Sequence, residues 1–578
     1  MELRTLSPRI AYFSMEIAFD PAVPTYSGGL GILAGDAVRA AADLGVPMVG
    51  ISLLYRNGYF RQHIDPLGNQ TDEPSSWTPE QLLEPLSVTA SVQIEGRPVR
   101  FRAWRYVVRG HSGHVVPVHL IDTGLPENDP RDRALTDTLY GGDQAYRLAQ
   151  EALLGIGGIA LLRALGHDRI DTYHMNEGHA ALLTLALLEE HLYGRALITA
   201  GDDEQAKVRE RCVFTVHTPV AAGHDVFPLT LAEDILGPDI AAALEVLPSR
   251  VDGRFDMTLL ALHLSRSVNA VSLRHGQVSA EMYPDYTVGS VTNGVHAATW
   301  TSAPVARLLD RHIPNWRADN DYLRHAVMLP LDELRAAHAE AKADLIAEVQ
   351  RRAGLTLDPG AFTACFARRA TGYKRADLLF SDPDRLKRIV RRAGPLQVLY
   401  GGKAHPNDES GKALIQRVCQ AADSLKKDLR IIYLEEYDFA LAQYLVAGVD
   451  LWLNNPEKPL EASGTSGMKA ALNGVPSLST VDGWWVEGWV EGVTGWAIGE
   501  GPLIPSDTKK EAASLYDKLE YVIMPMFYKR PAAYAEVMRS AIALNGSFFN
   551  AQRMVEQYAA NVYRLTSGEH ELDTAGSR

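Results

Sequence analysis

A lysine beside a turn rich in glycine and hydroxyl residues is the part of the sequence best suited to chemistry. The stretch EASGTSGMKAALNG, residues 461–474, places two glycines, two serines and a threonine between Glu461 and Lys469. Such residues leave backbone N–H groups free to face an anion, and the run from Met468 to Leu472 is typical of a helix. The spacing therefore predicts a phosphate-binding turn with an amine at its edge.

Three roles for that amine are compatible with the stretch taken alone. Lys469 is a counter-ion for a bound phosphate, or it attaches pyridoxal 5′-phosphate as a Schiff base, so that the cofactor's own phosphate fills the turn. In the third interpretation the turn is an ordinary helix N-terminus and the lysine is solvated. The motif by itself leaves all three open.

Further motifs choose between these roles, because they resemble those of the glycogen, starch and maltodextrin phosphorylases along nearly the whole chain. In that family the lysine that matches Lys469 carries pyridoxal 5′-phosphate. The sequences of these motifs are similar to those of the short bacterial branch of the family. The matching stretches are YFSMEIAFD (12–20), YSGGLGILAGD (26–36), LYRNGYFRQ (54–62), LYGGDQAYRLAQE (139–151), HMNEGHAALL (174–183), VTNGVH (291–296), FARRATGYKRADLL (366–379) and VDGWWVEG (481–488).

The resemblance implies a cluster of cations, because phosphorolysis brings inorganic phosphate next to the phosphate of the cofactor. Arg369 and Lys374 match the arginine and lysine that bind the substrate phosphate and the cofactor phosphate. Together with Lys469 they are the expected catalytic residues. The residues expected to hold the cofactor are Lys469, Lys374, Thr465, Ser466 and Arg368.

The same resemblance implies a sugar site of neutral donors and one carboxylate, which suits a ligand recognised by its hydroxyl groups. Asp143 matches a mobile gate loop, and Glu177 with His179 matches a loop on the acceptor side. The expected substrate-binding residues are Glu461, Ser463, Gly464, Tyr373, Asn269, Asp143, Glu177, His179 and the phosphate-facing loop Gly28, Gly29 and Leu30.

Some positions depart from the family pattern. Arg266 replaces a histidine that holds the glucose 6-hydroxyl, Asp438 replaces an arginine near the cofactor phosphate, and Arg368 replaces a lysine. The resemblance therefore implies a cofactor site with one positive charge fewer. The phosphorylation segment and the nucleotide-effector site of the animal enzymes are not recognisable, so regulation of that kind is expected to be absent.

Composition is typical of a metabolic enzyme, and several other classes are disfavoured. The formal charge of −14 argues against non-specific binding to nucleic acid or anionic membrane. Cys212, Cys365 and Cys419 lack CxxC spacing, so neither a metal site nor a disulfide is expected. Free cysteines of this kind favour a cytoplasmic location. No signal peptide is recognisable, and the longest apolar segment, 152–165, contains Arg163 and is too short to span a membrane.

Elements that could position these residues follow an α/β pattern. Strand-like runs alternate with helical ones, which predicts βαβ units and parallel sheets. The resemblance implies two Rossmann-like doubly wound domains that face a central cleft, the GT-B type. The strands are predicted at 46–55, 211–217, 360–369, 395–403, 429–437 and 449–455.

Domain boundaries follow from a charged helical stretch predicted at 331–354. It separates a first domain, 1–330, from a second, 331–566, which carries the cofactor lysine. The last helix, near 551–565, is expected to cross back onto the first domain. The polar tail at 567–578 is expected to be disordered.

The activity that the resemblance implies is reversible phosphorolysis of α-1,4-glucan by inorganic phosphate, giving α-glucose 1-phosphate with retention of configuration. The sequence leaves subunit number open, with a homo-oligomer as one option. One alternative is a nucleotide-sugar-dependent glucan synthase, but these commonly carry a second glutamate where Lys469 follows Glu461 by eight residues. The other is a catalytically silent glucan-binding protein, which the joint presence of Lys469, Arg369 and Lys374 disfavours.

Overall fold

The computed structural model describes residues 7–220 and 223–565 of the 578-residue chain. The expected tail at 567–578 lies outside the described residues. The fold is α/β, with two large sheets and helices packed around them. Each of the six predicted strands coincides with an observed strand, and the helix predicted at 331–354 spans Leu331–Ala353.

The strands are β1 Ile10–Ser14, β2 Met48–Leu53, β3 Arg61–Ile64, β4 Gln70–Glu73, β5 Glu84–Ile94, β6 Arg97–Arg109, β7 Val115–Asp122, β8 Thr172–Asn176, β9 Cys212–Thr215, β10 Val226–Pro228, β11 Arg250–Val251, β12 Arg254–Asp256, β13 Ser267–Ala270, β14 Val288–Ser290, β15 Phe362–Ala367, β16 Leu396–Gly401, β17 Arg430–Leu434, β18 Leu451–Asn454, β19 Ser477–Thr480 and β20 Gly495–Ile498.

The α-helices are α1 Gly29–Asp43, α2 Pro79–Leu82, α3 Pro130–Arg133, α4 Gln144–Ala152, α5 Gly158–Ala164, α6 Leu183–Leu192, α7 Asp202–Arg211, α8 Leu229–Leu236, α9 Pro238–Val246, α10 Met257–His263, α11 Leu273–Met282, α12 Ala297–Trp300, α13 Ala303–His312, α14 Leu331–Ala353, α15 Pro383–Ala393, α16 Glu409–Leu425, α17 Phe439–Gly448, α18 Ser466–Leu472, α19 Trp485–Gly488, α20 Thr508–Asp517, α21 Met524–Lys529, α22 Pro531–Ser540 and α23 Ala551–Gln557.

Shorter helical segments complete the list. The 3₁₀ segments are Ala134–Thr136, Gly178–Ala180, Leu197–Thr199, Asn320–Met328, Gly372–Lys374 and Leu378–Phe380. The π-helical segments are Leu153–Gly157, Lys518–Ile523, Ala541–Gly546 and Tyr558–Val562.

The first sheet has nine strands in the order β14-β13-β9-β8-β1-β2-β7-β6-β5. Neighbours from β14 to β7 are parallel, whereas β6 and β5 pair antiparallel at one edge. The central strand β1, IAYFS, is buried at all five positions. Helices on both faces of a parallel sheet explain why its strands are apolar runs instead of alternating ones.

The second sheet has six strands in the order β17-β16-β15-β18-β19-β20, and every neighbouring pair is parallel. Its central strand β15, FTACFA, is buried throughout. The chain fills one side of β15 with β16 and β17 and then returns to the other side with β18. The strand order therefore reverses between β15 and β18.

A similar reversal lies between β1 and β8 in the first sheet, because β2 and β7 follow β1 on one side whereas β8, β9 and β13 extend the other. Ligands of open parallel sheets bind beyond the carboxyl ends of the strands at such reversals. Residues after β1, β8, β15 and β18 are therefore the ones that the topology places at potential binding sites.

Several contacts join the two halves of the molecule, and two of them involve whole elements. The β3–β4 hairpin reaches the second sheet, where the Gln62 amide donates to Gly402 O at 2.8 Å and its backbone N–H to Glu436 at 2.6 Å. In the opposite direction, helix α23 packs on helix α1. Helix α23 thus belongs to the apolar core beside the first sheet.

Candidate active site

Helix α18 places the Lys469 amine in the interior, next to the second sheet. The residue is 7% exposed, and Nζ lies 4.2 Å from the centroid of the Trp300 ring. Among the described residues, no hydrogen bond or ion pair of this amine is found. Burial lowers the pKa of Lys469 to about 8. A buried amine with a lowered pKa and no polar partner is suited to covalent bond formation.

The turn before α18 is fixed by close packing. A Cβ at Gly467 would come within 2.7 Å of the Trp484 ring, so only glycine lets the turn approach that ring. Ser466 Oγ accepts a hydrogen bond from the Trp452 indole at 3.0 Å, and Thr465 O accepts one from the Lys469 N–H at 3.2 Å. The two hydroxyl residues expected at the cofactor are therefore beside the lysine.

The loop after β18 brings Glu461 to this turn. Its buried carboxylate forms an ion pair with Nζ of Lys374. Burial opposes the charge of Lys374, but Glu461 outweighs it, so the pKa of Lys374 is raised. Gly464 adopts φ +83°, and a Cβ there would meet Glu461 Oε1 at 3.1 Å, which explains the glycine. Nζ of Lys374 also lies 4.6 Å from the centroid of the Tyr373 ring.

Ser463, in this loop, has unused bonding capacity. It is 4% exposed, and its Oγ has no hydrogen-bond partner among the described residues. Buried hydroxyl groups normally have a partner, because leaving one unpaired costs about 1–3 kcal/mol. The hydroxyl of Ser463 is therefore available to a polar ligand beside Glu461.

Two arginines follow β15 directly. Arg368 donates to Leu453 O at 3.0 Å, while its Nε is buried without a partner among the described residues. Arg369 is exposed, yet one of its terminal nitrogens lies 3.5 Å from Ser27 Oγ. A Cβ at Gly28 would lie 3.5 Å from the same nitrogen. Arg369 thus lies against the glycine loop after β1.

Glu16 holds that glycine loop. Its buried carboxylate accepts hydrogen bonds from the N–H groups of Ser27 and Gly28, at 2.5 and 3.0 Å, and from the Tyr140 hydroxyl at 3.0 Å. The expectation that the Gly28 N–H faces an anionic ligand is wrong, because this N–H donates to Glu16. Gly29 and Leu30 begin helix α1, whose first N–H groups have no partner within the helix.

The loop after β8 carries Glu177 and His179 into the first sheet's reversal point. Glu177 has φ +77°, and its carboxylate accepts the N–H groups of Gly178 and His217 at 3.0 and 2.8 Å. Burial raises the pKa of Glu177 to about 7. His179 is buried, with Nε2 3.3 Å from Asp225. These contacts fix the loop through its own side chains.

Glu151, His179 and Asp225 bring potential metal-ligand atoms within 4.8 Å of one another. Arg147 donates to Glu151 at 3.0 Å and to Asp225 at 2.8 Å, and it stacks on Tyr140. A guanidinium already supplies the positive charge that a cation would bring. We interpret the group as an ion-pair network that supports the loop of His179.

Asp143 and Asn269 are bonded within their own surroundings. The exposed Asp143 caps helix α4 by accepting the N–H of Tyr146 at 2.9 Å. The Asn269 amide is buried, donates to the Tyr558 hydroxyl at 2.9 Å and accepts from the Thr215 hydroxyl at 3.1 Å. Asn269 therefore connects the first sheet to the segment after α23.

Two of the three positions that depart from the family pattern, Arg266 and Asp438, have structural partners. Arg266 donates to Val562 O at 2.9 Å and to the Thr172 hydroxyl at 3.2 Å. Asp438 caps helix α17 and accepts from Arg352 at 3.1 Å. Both side chains stabilise packing between elements.

Three residues to which the sequence analysis assigns no role contribute to the site. Glu16 anchors the glycine loop, the Trp300 ring lies against the Lys469 amine, and Asp36 accepts the indole N–H of Trp300 at 2.8 Å. Glu16 and Asp36 were visible as acidic residues within otherwise apolar or glycine-rich stretches. Trp300 had no comparable signal.

The residues present fit a phosphate-bearing aldehyde cofactor. A free, buried amine would hold the aldehyde, while the hydroxyls of Thr465 and Ser466 and the unpartnered Nε of Arg368 are suited to a phosphate.

Among the described residues, no helix is long and apolar enough to cross a membrane.

Comparisons with known proteins extend over both sheets. The sequence profile of a family described as Carbohydrate phosphorylase matches residues 227–493. The chain is 40% identical to a maltodextrin phosphorylase of Thermococcus litoralis, across 96% of the chain and 70% of that protein. It is 38% identical to a glycogen phosphorylase of Mycobacterium tuberculosis, across 98% and 72%. A glycogen phosphorylase of Aquifex aeolicus is 34% identical, across 97% and 86%.

Proposed function

Because this chain belongs to the carbohydrate phosphorylase family, we propose that it is an α-glucan phosphorylase. The reaction is reversible phosphorolysis of the non-reducing end of an α-1,4-glucan such as glycogen or maltodextrin. Inorganic phosphate is the second substrate, and α-glucose 1-phosphate is released with retention of configuration. The enzyme is thus a hexosyltransferase that requires neither nucleic acid nor a membrane.

One observation carries the proposal: the buried amine of Lys469 has no polar partner among the described residues, and it is on α18, the helix that follows β18. An amine of this kind is suited to hold pyridoxal 5′-phosphate covalently. When bound, that cofactor would supply a phosphate group that passes a proton to and from the substrate phosphate. Thr465, Ser466, Arg368 and Lys374 would hold that group.

The chain's own side chains would then position the two substrates. Arg369 points its guanidinium at the cleft and would bind inorganic phosphate by charge-assisted hydrogen bonds. Glu461 and Ser463 would receive the sugar hydroxyls, and Tyr373 would contact the sugar ring. Lys374 lies between both ligands, since it already pairs with Glu461. The protein's contribution is mainly positioning and electrostatic stabilisation.

The two sheets are compatible with two Rossmann-like domains of the GT-B type, with bounds at 1–330 and 331–566. In support, the strands up to β14 and those from β15 onward belong to different sheets, and each sheet has its own reversal point. The cleft would lie between Arg369 and the loop held by Glu16. The three cysteines are free, which suits the proposed cytoplasmic location.

The decisive experiment measures phosphate-dependent release of glucose 1-phosphate from maltodextrins of graded length. In parallel, borohydride reduction and peptide mass spectrometry should find the cofactor on Lys469. Lys342 is an internal control in the same digest, because it is equally buried but its amine is paired with Asp450 at 2.7 Å. Cofactor on another residue, or no phosphate dependence in the wild-type protein, would refute the proposal.

The synthase alternative predicts a different donor. Glucose 1-phosphate with a maltodextrin primer should extend the primer and release phosphate, whereas UDP-glucose or ADP-glucose should do neither. Lys469→Ala should abolish extension from glucose 1-phosphate, and Lys426→Ala, at an exposed lysine, should leave it unchanged. Extension from a nucleotide sugar alone would favour the synthase.

A further inference from the structure

Three elements from different parts of the chain meet at the Lys469 amine. Helix α18 carries the lysine, α12 ends in Trp300, and α1 contributes Asp36. The indole face lies 4.2 Å from Nζ, measured to the ring centroid. Trp300 is 1% exposed and Asp36 is fully buried, so neither side chain has solvent to interact with instead.

The Asp36 carboxylate fixes the orientation of the indole. Both of its oxygens lie within hydrogen-bonding distance of the Trp300 Nε1–H, at 2.8 and 3.1 Å. Arg39, one turn further along α1, donates to the same carboxylate at 3.3 Å. The indole also packs against the Phe439 ring, and the two ring centroids are 4.8 Å apart. The ring is therefore held by one directional bond and by apolar packing.

A ring held in this way restrains the amine without using its lone pair. The face of an indole attracts an ammonium group and also packs against a neutral amine. A hydrogen bond donated to the Nζ nitrogen would occupy the lone pair, and none is found among the described residues. Attachment of an aldehyde needs that lone pair, which forms the new carbon–nitrogen bond. The aldehyde oxygen then leaves as water, together with the two hydrogens of the neutral amine.

We infer that Asp36 is a positioning residue that acts through the Trp300 indole to hold the Lys469 amine ready for covalent attachment of the cofactor. The inference rests on the proposed function, because it presupposes that Lys469 is the attachment point. It assigns to the first sheet a part in preparing a group on the second, since α1 packs beside β2, β6 and β7.

Charge gives the same arrangement a second consequence. Burial lowers the pKa of Lys469 to about 8, the Asp36 carboxylate opposes that change, and Arg39 adds to it. Asp36→Asn keeps an oxygen for the indole N–H but removes the opposing charge. Attachment in this variant should extend to lower pH than in the wild-type protein, while its extent at neutral pH is retained.

The experiment reloads cofactor-stripped full-length protein with pyridoxal phosphate and traps the bound cofactor with borohydride at timed intervals from pH 6 to 9. At pH 9, where the amine is largely neutral in both proteins, Asp36→Ala should slow attachment at Lys469 by about 3- to 30-fold, because the indole no longer holds the amine in place. Trp300→Phe should show a similar loss, and the double variant should lose no more than either single one. Asp36→Asn should restore the rate.

Asp43→Asn is the matched control, because Asp43 is also on α1 and its carboxylate binds His296, four residues before Trp300, at 2.8 Å. It should lower thermal stability without changing attachment per folded molecule. Wild-type rates and pH dependence in Asp36→Ala, or an equal loss in Asp43→Asn, would overturn the inference. No cofactor on Lys469 of the wild-type protein would instead refute the proposed function.

Discussion

The two strand-order reversals present polar groups in different states. Beside β15 and β18, the Lys469 amine and the Ser463 hydroxyl have no hydrogen-bond partner among the described residues. Beside β1 and β8, Glu16 accepts four hydrogen bonds and Glu177 accepts two, all from the protein. The amine and the hydroxyl at the second reversal have unused bonding capacity, whereas the two carboxylates at the first reversal are bonded to the protein. His179 Nδ1 is the exception beside β8, because it is buried without a partner among the described residues.

This difference indicates how the two halves divide their work. A buried polar group without a partner is costly until a ligand satisfies it, so the Lys469 amine and the Ser463 hydroxyl are suited to ligand contacts. Groups already bonded cost little, and they fix the shape of the wall that faces the ligand. We expect residues beside the second sheet to bind and react with the ligands, and residues beside the first sheet to fix the shape of the loops that face them.

The largest expected effect tests the second sheet. Arg369→Ala removes the guanidinium from the cleft and should lower turnover about 30- to 1,000-fold, corresponding to about 2–4 kcal/mol, chiefly through phosphate. The absorbance of the bound cofactor should be unchanged. Arg391→Ala, at an arginine whose side chain is 70% exposed, is the control. Unaltered phosphate dependence in Arg369→Ala would remove this residue from the site.

Glu461→Gln should have the next largest effect. The substitution keeps the shape but removes the charge that pairs with Lys374 and strengthens hydrogen bonds from sugar hydroxyls. Turnover should fall about 10- to 100-fold, while cofactor and phosphate still bind. Steady-state kinetics with glucose 1-phosphate and maltodextrin measure this effect, and Glu457→Gln, an exposed glutamate of the same loop, should behave as wild type. Normal turnover in Glu461→Gln would exclude its role in sugar binding.

On the first sheet, Glu177 should affect stability through pH. Its pKa is raised by burial to about 7, so the stability that comes from its neutral form is full below the unfolded pKa of about 4.5. That stability is lost as the pH rises through 7. The difference in unfolding free energy between the wild-type protein and Glu177→Gln should therefore change by on the order of 2 kcal/mol between pH 5 and 8.

Denaturant unfolding at each pH measures the Glu177 effect. Glu80→Gln, at an exposed glutamate, should give a difference from wild type that does not depend on pH. A pH-independent difference for Glu177→Gln as well would contradict a buried, titrating carboxyl group.

The smallest expected effect concerns Asp143, where the gate expectation and the observed helix cap diverge. As a cap alone, Asp143→Ala should cost about 1 kcal/mol of stability, and Asp143→Asn, which also caps, should cost little. Both should keep normal kinetics if the residue only caps α4. A fall in turnover of both variants without loss of stability would instead support the gate role.

Much of the second sheet's site could be predicted, because its residues lie in short motifs at strand ends. Arg369 and Lys374 follow β15, and Glu461 with Lys469 follows β18. Parallel neighbouring strands bring the ends of both motifs to one edge of the sheet. The functional residues of each motif are therefore close in sequence as well as in space.

The contacts of Asp36 and Trp300 could not be predicted, because these residues are 433 and 169 positions from Lys469 and come near it only through tertiary packing. The Gly28 N–H shows the opposite problem. Its motif was recognised, but the partner Glu16 depends on how the loop folds back beside β1. Local pattern gives residue types, and tertiary packing decides which groups are used.

The return of α23 to the first sheet has a consequence for the order of synthesis. Met554, Val555 and Tyr558 complete the apolar core that contains Leu33 and Val38 of helix α1. At about 5–20 residues per second, this segment leaves the ribosome roughly 15 to 55 s after β14. During that interval the nascent first half has an uncovered apolar face, which is a binding surface for chaperones until translation ends.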